Sequence, residues 1–177
     1  NYSEKLGCDR KKNTFGYEII NKKKTRYKIS SNGYRHETNK FKHSKISTFG
    51  DSYAFCRFVN DNQTWQKSLG IKCGTNVRNF GVGNYGLDQA YLKYQNTKLD
   101  SKTKLLIFTV VPETISRIHS YWKHYLEFGN IYGFKPIYFL RNGKISLKKN
   151  LLKKNDSISS VKHKIKQIRK NDIFYEI

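Results

Sequence analysis

The sequence predicts an α/β chain built around a parallel sheet, and three stretches of its 177 residues carry that prediction. The first is a β-capable run, Lys45-Ile46-Ser47-Thr48-Phe49, which breaks at Gly50-Asp51-Ser52 before an apolar segment, Tyr53-Ala54-Phe55-Cys56. The second is Asn76-Val77-Arg78-Asn79-Phe80-Gly81-Val82-Gly83-Asn84-Tyr85-Gly86-Leu87-Asp88-Gln89. It repeats the order strand, glycine loop, helix about thirty residues later, the spacing of a βαβ unit. The third, Lys104-Leu105-Leu106-Ile107-Phe108-Thr109-Val110-Val111, is nearly all apolar, as expected of a strand covered on both faces. Pro112 stops it. Three strand edges therefore meet, two of them bearing loops of glycine and small polar residues.

Taken in order, residues 1–25 are polar and lysine-rich and are expected to be peripheral or partly disordered. Tyr27-Lys28-Ile29-Ser30 and Ser31-Asn32-Gly33-Tyr34 read as a short strand and turn. Ser52 falls at the carboxyl edge of a strand, where α/β folds place their ligands. If it opens the next helix, the helix N-terminus favours negative charge on a nearby oxygen. Gly-Asp-Ser is also an ordinary turn and N-cap, with the Asp51 carboxylate bonding nearby backbone N–H groups. Residues 62–69 read as a helix containing Trp65, which either caps the pocket or packs in the core. Leu87, Ala90, Tyr91 and Tyr94 keep helical spacing behind the second loop.

Residues 113–128 are expected to form one helix, with Ile115, Ile118, Trp122 and Leu126 or Tyr125 on its apolar stripe and Arg117, His119, Lys123 and His124 elsewhere. His119 and His124 are five apart, which does not make an i, i+4 metal pair. Gly129, Gly133 and Pro136 open a loop. Ile137-Tyr138-Phe139-Leu140 and Lys144-Ile145-Ser146-Leu147 then flank Arg141-Asn142-Gly143, whose Asn-Gly is a strong hairpin signal. This helix and hairpin, 113–148, follow the third strand where a plain α/β chain would continue, so they read as an insertion or lid. Asp156-Ser157 caps a last helix striped by Ile158, Val161, Ile165 and Ile168.

Lys and Arg number 35 against 13 Asp and Glu, a net charge of +22. Such a balance suggests an acidic partner, nucleic acid by default. Yet Lys, Asn, Ile, Tyr and Phe are abundant together, as A/T-rich coding bias also produces. Lys22-Lys23-Lys24, Lys148-Lys149 and Lys153-Lys154 sit in expected loops and tails rather than on one recognition helix. No helix-turn-helix or C2H2 finger pattern is present, and an anionic polysaccharide or lipid headgroup suits a basic rim equally well. Cys8, Cys56 and Cys73 lack metal-ligand spacing, so neither a disulfide framework nor a metal site is expected. No cofactor motif is found. No apolar run has the length of a membrane span and nothing resembles a signal peptide. The compartment stays open, leaning to the cytoplasm.

Several stretches together resemble the SGNH (GDSL-like) hydrolases, above all a bacterial branch found with surface-polysaccharide genes. They are Thr48-Phe49-Gly50-Asp51-Ser52, Val59-Asn60-Asp61-Asn62-Gln63-Thr64-Trp65, Asn79-Phe80-Gly81-Val82-Gly83-Asn84-Tyr85-Gly86-Leu87-Asp88-Gln89 and Val111-Pro112-Glu113-Thr114-Ile115. The resemblance runs from about residue 26 to 148. It implies a flavodoxin-like three-layer α/β/α sandwich over 26–177, with parallel central sheet, and an ester hydrolase or O-acyltransferase whose nucleophile is Ser52. It further implies an oxyanion hole from the backbone N–H groups of Ser52 and of Gly83 or Asn84, supported by Gly50 and Asp51, with Trp65, Tyr85 and Glu113 near the substrate.

The chain also departs from that family. The family's base is a histidine preceded by an aspartate at the third position before it, and no Asp-x-x-His occurs here. His36, His43, His119, His124 and His163 all lack that context. The third strand edge reads Thr109-Val110-Val111-Pro112-Glu113, without the family's oxyanion asparagine. Asn84 stands where the family has glycine. Because the chain starts at Asn1, contains no methionine and ends on Ile173-Phe174-Tyr175-Glu176-Ile177, the expectation is an N-terminal piece whose Asp/His pair lies beyond Ile177. A degenerate, inactive member is the competing expectation, and a non-enzymatic basic module for nucleic acid or another anionic polymer is the alternative function.

Overall fold

The computed structural model describes residues 1–121, 134–170 and 172. The expectations for Trp122, Lys123, His124, Tyr125, Leu126, Gly129, Gly133 and the 173–177 end lie outside them. The chain is mixed α/β, with a parallel three-stranded sheet and several two-stranded ones. The parallel sheet has β5 (Ser44–Phe49) in the middle, β6 (Asn76–Asn79) on one side and β7 (Leu105–Phe108) on the other. Ile46 pairs with both Val77 and Leu105, and Thr48 with Asn79 and Ile107. The connection out of β5 passes through α1 (Ser52–Phe55), a 3-10 turn (Asp61–Gln63) and α2 (Trp65–Lys72) to β6. The next passes through α3 (Leu87–Gln95) and crosses to β7. The first connection thus goes to one side of β5 and the second crosses to its other side, a reversal of strand order of the kind beside which open α/β sheets bind ligands.

The core forms where those connections fold back. Phe49 stacks on Phe80 at 5.0 Å between ring centres and on Phe108 at 5.5 Å. Leu6, Val82, Tyr85, Ala90 and Leu92 complete the buried cluster. β7 differs from its expectation. Leu105 is half exposed and the other residues of the strand only partly covered, because β7 pairs with β5 alone among the described residues.

The N-terminal segment corrects the sequence reading most. Residues 1–25 are largely folded: β1 (Tyr2–Ser3) pairs with β2 (Gly7–Cys8), and β3 (Thr14–Ile20) with β4 (Lys23–Ile29). Asn21 and Lys22 both have positive φ, the geometry of a two-residue hairpin turn. Leu6 is buried in the core cluster, and its carbonyl accepts from Gln89 Nε2 at 2.7 Å. Lys93 on α3 pairs with Asp9. One buried leucine and a few polar ties to α3 are enough to anchor this polar segment.

Beyond β7, α4 spans Glu113–Ile118 and ends at His119, so the helix expected over 113–128 is broken there. β8 (Ile137–Arg141) and β9 (Lys144–Lys148) form the expected hairpin, with Asn142 and Gly143 both at positive φ. α5 (Ile158–Lys170) starts where Ser157 Oγ accepts from the Ser160 N–H at 3.2 Å. Ile168 is buried with Tyr121, Phe134 and Leu152 in a second cluster, against which Val161 and Ile165 pack. Lys135 carries this part back to the first turn of α3 through a fully buried ion pair with Asp88. Burial pushes the Asp88 carboxyl up and the Lys135 ammonium down, while each charge favours the other.

Candidate active site

Gly50 turns the chain out of β5 with a φ of 151°. Its carbonyl accepts from the Val82 N–H at 3.0 Å, and the Phe80 N–H bonds the Thr48 carbonyl at 2.8 Å. The glycine loop after β6 is thereby tied to the end of β5. Gly81 presses on α1 so closely that a Cβ there would lie 2.3 Å from the Phe55 nitrogen. Asp51 caps α1, its Oδ1 accepting from the Tyr53 N–H at 2.9 Å. The carboxylate is buried and holds the turn, as the local reading expected. Its second oxygen faces Arg117 Nη1 at 3.9 Å, and that nitrogen donates to the Tyr85 carbonyl at 3.3 Å. Arg117, which the sequence put on a polar stripe, turns inward and bridges the two loops.

Ser52 is the first residue of α1 and half-buried, and no described side chain hydrogen-bonds its hydroxyl. A cavity of about 310 Å³ opens beside it, lined by Ser52, Tyr53, Cys56, Arg57 and Phe58. α1 is a single turn, so it carries little of a helix macrodipole. No described histidine bonds Ser52 or lines this cavity. Burial pushes the Cys56 thiol up, so it is a packed, protonated group rather than a second nucleophile.

Gly83 and Asn84 line a different cavity, of about 330 Å³, together with Cys8, Asp9, Arg10, Glu18, Arg57 and others. Arg57 is the wall that the two cavities share. Asn84 has a φ of 67° and is the third residue of the Val82–Tyr85 turn, a place where asparagine substitutes readily for glycine. Among the described residues, the backbone N–H groups of Gly83 and Asn84 bond no protein acceptor.

The three residues placed near the substrate are dispersed. Tyr85 is 1 % exposed, with its hydroxyl on the Cys8 carbonyl, so its ring belongs to the core. Trp65 is half-buried and donates from Nε1 to the Tyr53 carbonyl at 3.3 Å, which ties α2 to the residue after Ser52. Glu113 is exposed on the first turn of α4 and lines neither cavity. The β8–β9 hairpin contributes no wall to the Ser52 cavity.

Sequence reading missed Arg35. Its side chain is 1 % exposed and ends in bonds to Asp61 Oδ1 (2.7 Å) and the carbonyls of Phe55 (2.7 Å), Cys56 (2.7 Å) and Val59 (2.6 Å). It holds the segment that leaves α1, where Cys56 and Phe58 both adopt positive φ. Glu18 pins the same segment from outside, accepting from Phe58 N–H and Arg57 Nε.

Comparison with protein-family models, curated proteins and solved structures gives no match. Among the described residues no cluster of histidine, cysteine and acidic side chains is placed to hold a metal, and no helix is long and apolar enough to cross a membrane.

The exposed lysines belong to several different elements. Lys22 lies in the β3–β4 turn, Lys149 follows β9, and Lys162 and Lys166 are exposed on α5. Binding to duplex DNA is therefore expected to be weak, indifferent to sequence and steeply lost between about 50 and 200 mM salt, since counterion release alone drives it. A titration at several salt concentrations checks this. Tight, sequence-selective binding at physiological salt would make the chain a nucleic-acid reader instead.

Proposed function

We propose that this chain carries the nucleophile of a serine ester hydrolase or O-acyltransferase, similar to the SGNH hydrolases, acting on acyl esters such as those of a surface polysaccharide. The observation that carries the reading is the unbonded hydroxyl of half-buried Ser52, next to the carboxyl end of the middle parallel strand and lining a cavity. The strand order β6-β5-β7 supports a flavodoxin-like sheet, whose order begins 2-1-3 when strands are counted along the chain. In the reaction Ser52 Oγ attacks the ester carbonyl as its proton passes to a base. The alkoxide leaves as the alcohol, and the acyl group remains on Ser52 until water or a sugar hydroxyl takes it. The Ser52 N–H, at the first helical position, has no intrahelical acceptor. With the unbonded N–H of Gly83 or Asn84 it is the candidate donor set for the tetrahedral oxyanion.

The base is the part that no described residue supplies. Incubation with p-nitrophenyl acetate is therefore expected to give a slow acylation with an even slower release, because both half-reactions need a proton acceptor. Peptide mapping should find an acetyl group on Ser52, lost in Ser52→Ala while the fold is kept. Acetylation confined to lysines would overturn the assignment, as would rapid turnover unaffected by Ser52→Ala.

A further inference from the structure

Arg10 is unusual among the cations near Ser52. It stacks over Phe55 with its guanidinium carbon 3.7 Å from the ring centre, and its Nη1 donates to the Tyr27 hydroxyl at 3.1 Å. Its buried Nε has no hydrogen-bond partner, and no carboxylate pairs with its side chain among the described residues. It lines the 330 Å³ cavity with Arg57, Gly83 and Asn84.

The carboxylates on that wall are already engaged. Asp9 takes Lys93 and the Arg10 backbone N–H, and Glu18 takes Arg57 Nε and the Phe58 N–H. Among the side chains, Arg10, Arg57 and Lys93 against Asp9 and Glu18 leave one positive charge in excess. The Gly83 and Asn84 N–H groups add neutral donors to the same wall. An arginine with no carboxylate partner, one surplus charge and unbonded backbone donors suit a monoanion. The volume is near the lower end for small-ligand pockets, roughly 300–1,000 Å³.

We propose that the Arg10–Arg57 cavity is a subsite for the carboxylate of an acidic, uronate-type saccharide, set beside the Ser52 cavity. Resting on the esterase reading, it would let the chain accept acyl groups carried on or next to an acidic sugar. Arg57, common to both cavities, is the point where anion binding and the ester site meet. A monoanion matches the single surplus charge better than a phosphate dianion does.

Binding to the Ser52→Ala chain, by calorimetry at physiological salt, tests the subsite independently of catalysis. Trigalacturonate should bind and maltotriose, its neutral counterpart, should not. Arg57→Gln, at a side chain 42 % exposed, should fold normally and weaken trigalacturonate about tenfold, the size of one charge-assisted contact. Arg10→Gln should weaken it at least as much. Lys166→Gln on α5 should change nothing. Equal binding of the neutral sugar overturns the proposal. So does an equal loss in Lys166→Gln, which would assign binding to net charge, or inorganic phosphate displacing the uronate at equal concentration. Uronate binding that persists without Ser52 acetylation in the parent chain would keep the subsite and remove the esterase, so the two readings fail separately.

Discussion

Gly50→Ala is expected to lower the unfolding free energy by about 3 kcal/mol or more, among the largest costs a single methyl group can impose. Two independent effects act at this position. The backbone φ of 151° lies in a region that side-chain-bearing residues avoid. The added Cβ would also stand 2.0 Å from Thr109 Oγ1, 3.0 Å from Ala54 Cβ and 3.1 Å from the Thr109 carbonyl. Movement to relieve the clash would pull the Gly50 carbonyl from the Val82 N–H and separate the glycine loop from Ser52. Gly74→Ala separates the two effects, because its φ of 58° is positive but a Cβ there meets nothing. It should cost only about 1 kcal/mol. Thr109→Ala added to Gly50→Ala should recover part of the loss, since Thr109 Oγ1 makes no hydrogen bond of its own. Urea denaturation of the parent chain and the three variants checks the ranking. A Gly50→Ala chain no less stable than Gly74→Ala would mean that the strand edge is loosely packed.

The same strand edge shows what a sequence can and cannot convey. Gly50, the β5 run before it and the glycine loop after β6 are local signals, and each marks a backbone event within a few residues. The Asn142-Gly143 turn and the Ser157 cap are legible for the same reason. Long-range pairing is another matter. Lys93 and Lys135 carry no local mark in the sequence, yet both are buried, on Asp9 and Asp88 respectively. Nothing within a local window distinguishes them from Lys98 or Lys102, which are exposed. Residues 1–25 look uncommitted because the partners of Leu6, Asp9 and Arg10 lie far along the chain. β7 looks doubly covered because its composition is apolar, but coverage depends on what is packed against it. Ser52 was therefore readable as a position, whereas Arg57 as cavity wall and Arg117 as bridge to Asp51 depend on the tertiary fold.

Arg35→Ala is the second large effect, about 3–5 kcal/mol in urea denaturation, the range for breaking a buried ion pair by removing one partner. The Arg35 backbone N–H donates to the Asn79 carbonyl at 2.7 Å, so the residue already joins the β4 side of the chain to β6. Its guanidinium then reaches Asp61 and three carbonyls that leave α1. Truncation leaves the Cys56 and Val59 carbonyls without the Arg35 donor, the Phe55 carbonyl with Asn79 Nδ2 alone, and a carboxylate 16 % exposed without its cation. Arg35→Lys is the more discriminating variant. It keeps the charge, but a single ammonium cannot occupy the positions of Nε, Nη1 and Nη2 together. If the fork matters, Lys should recover less than half of the lost stability; full recovery would show that charge alone suffices. The consequence reaches Ser52 through the backbone. Positive φ at Cys56 and Phe58 is costly for residues with side chains, and Arg35 from inside and Glu18 from outside hold that segment in place. Released, it should relax toward ordinary φ values and carry Arg57 and Phe58 out of the Ser52 cavity. In Arg35→Lys at a temperature where the chain remains folded, acetylation of Ser52 should therefore fall more than the folded fraction does. A loss in strict proportion to unfolding would leave Arg35 a role in stability alone.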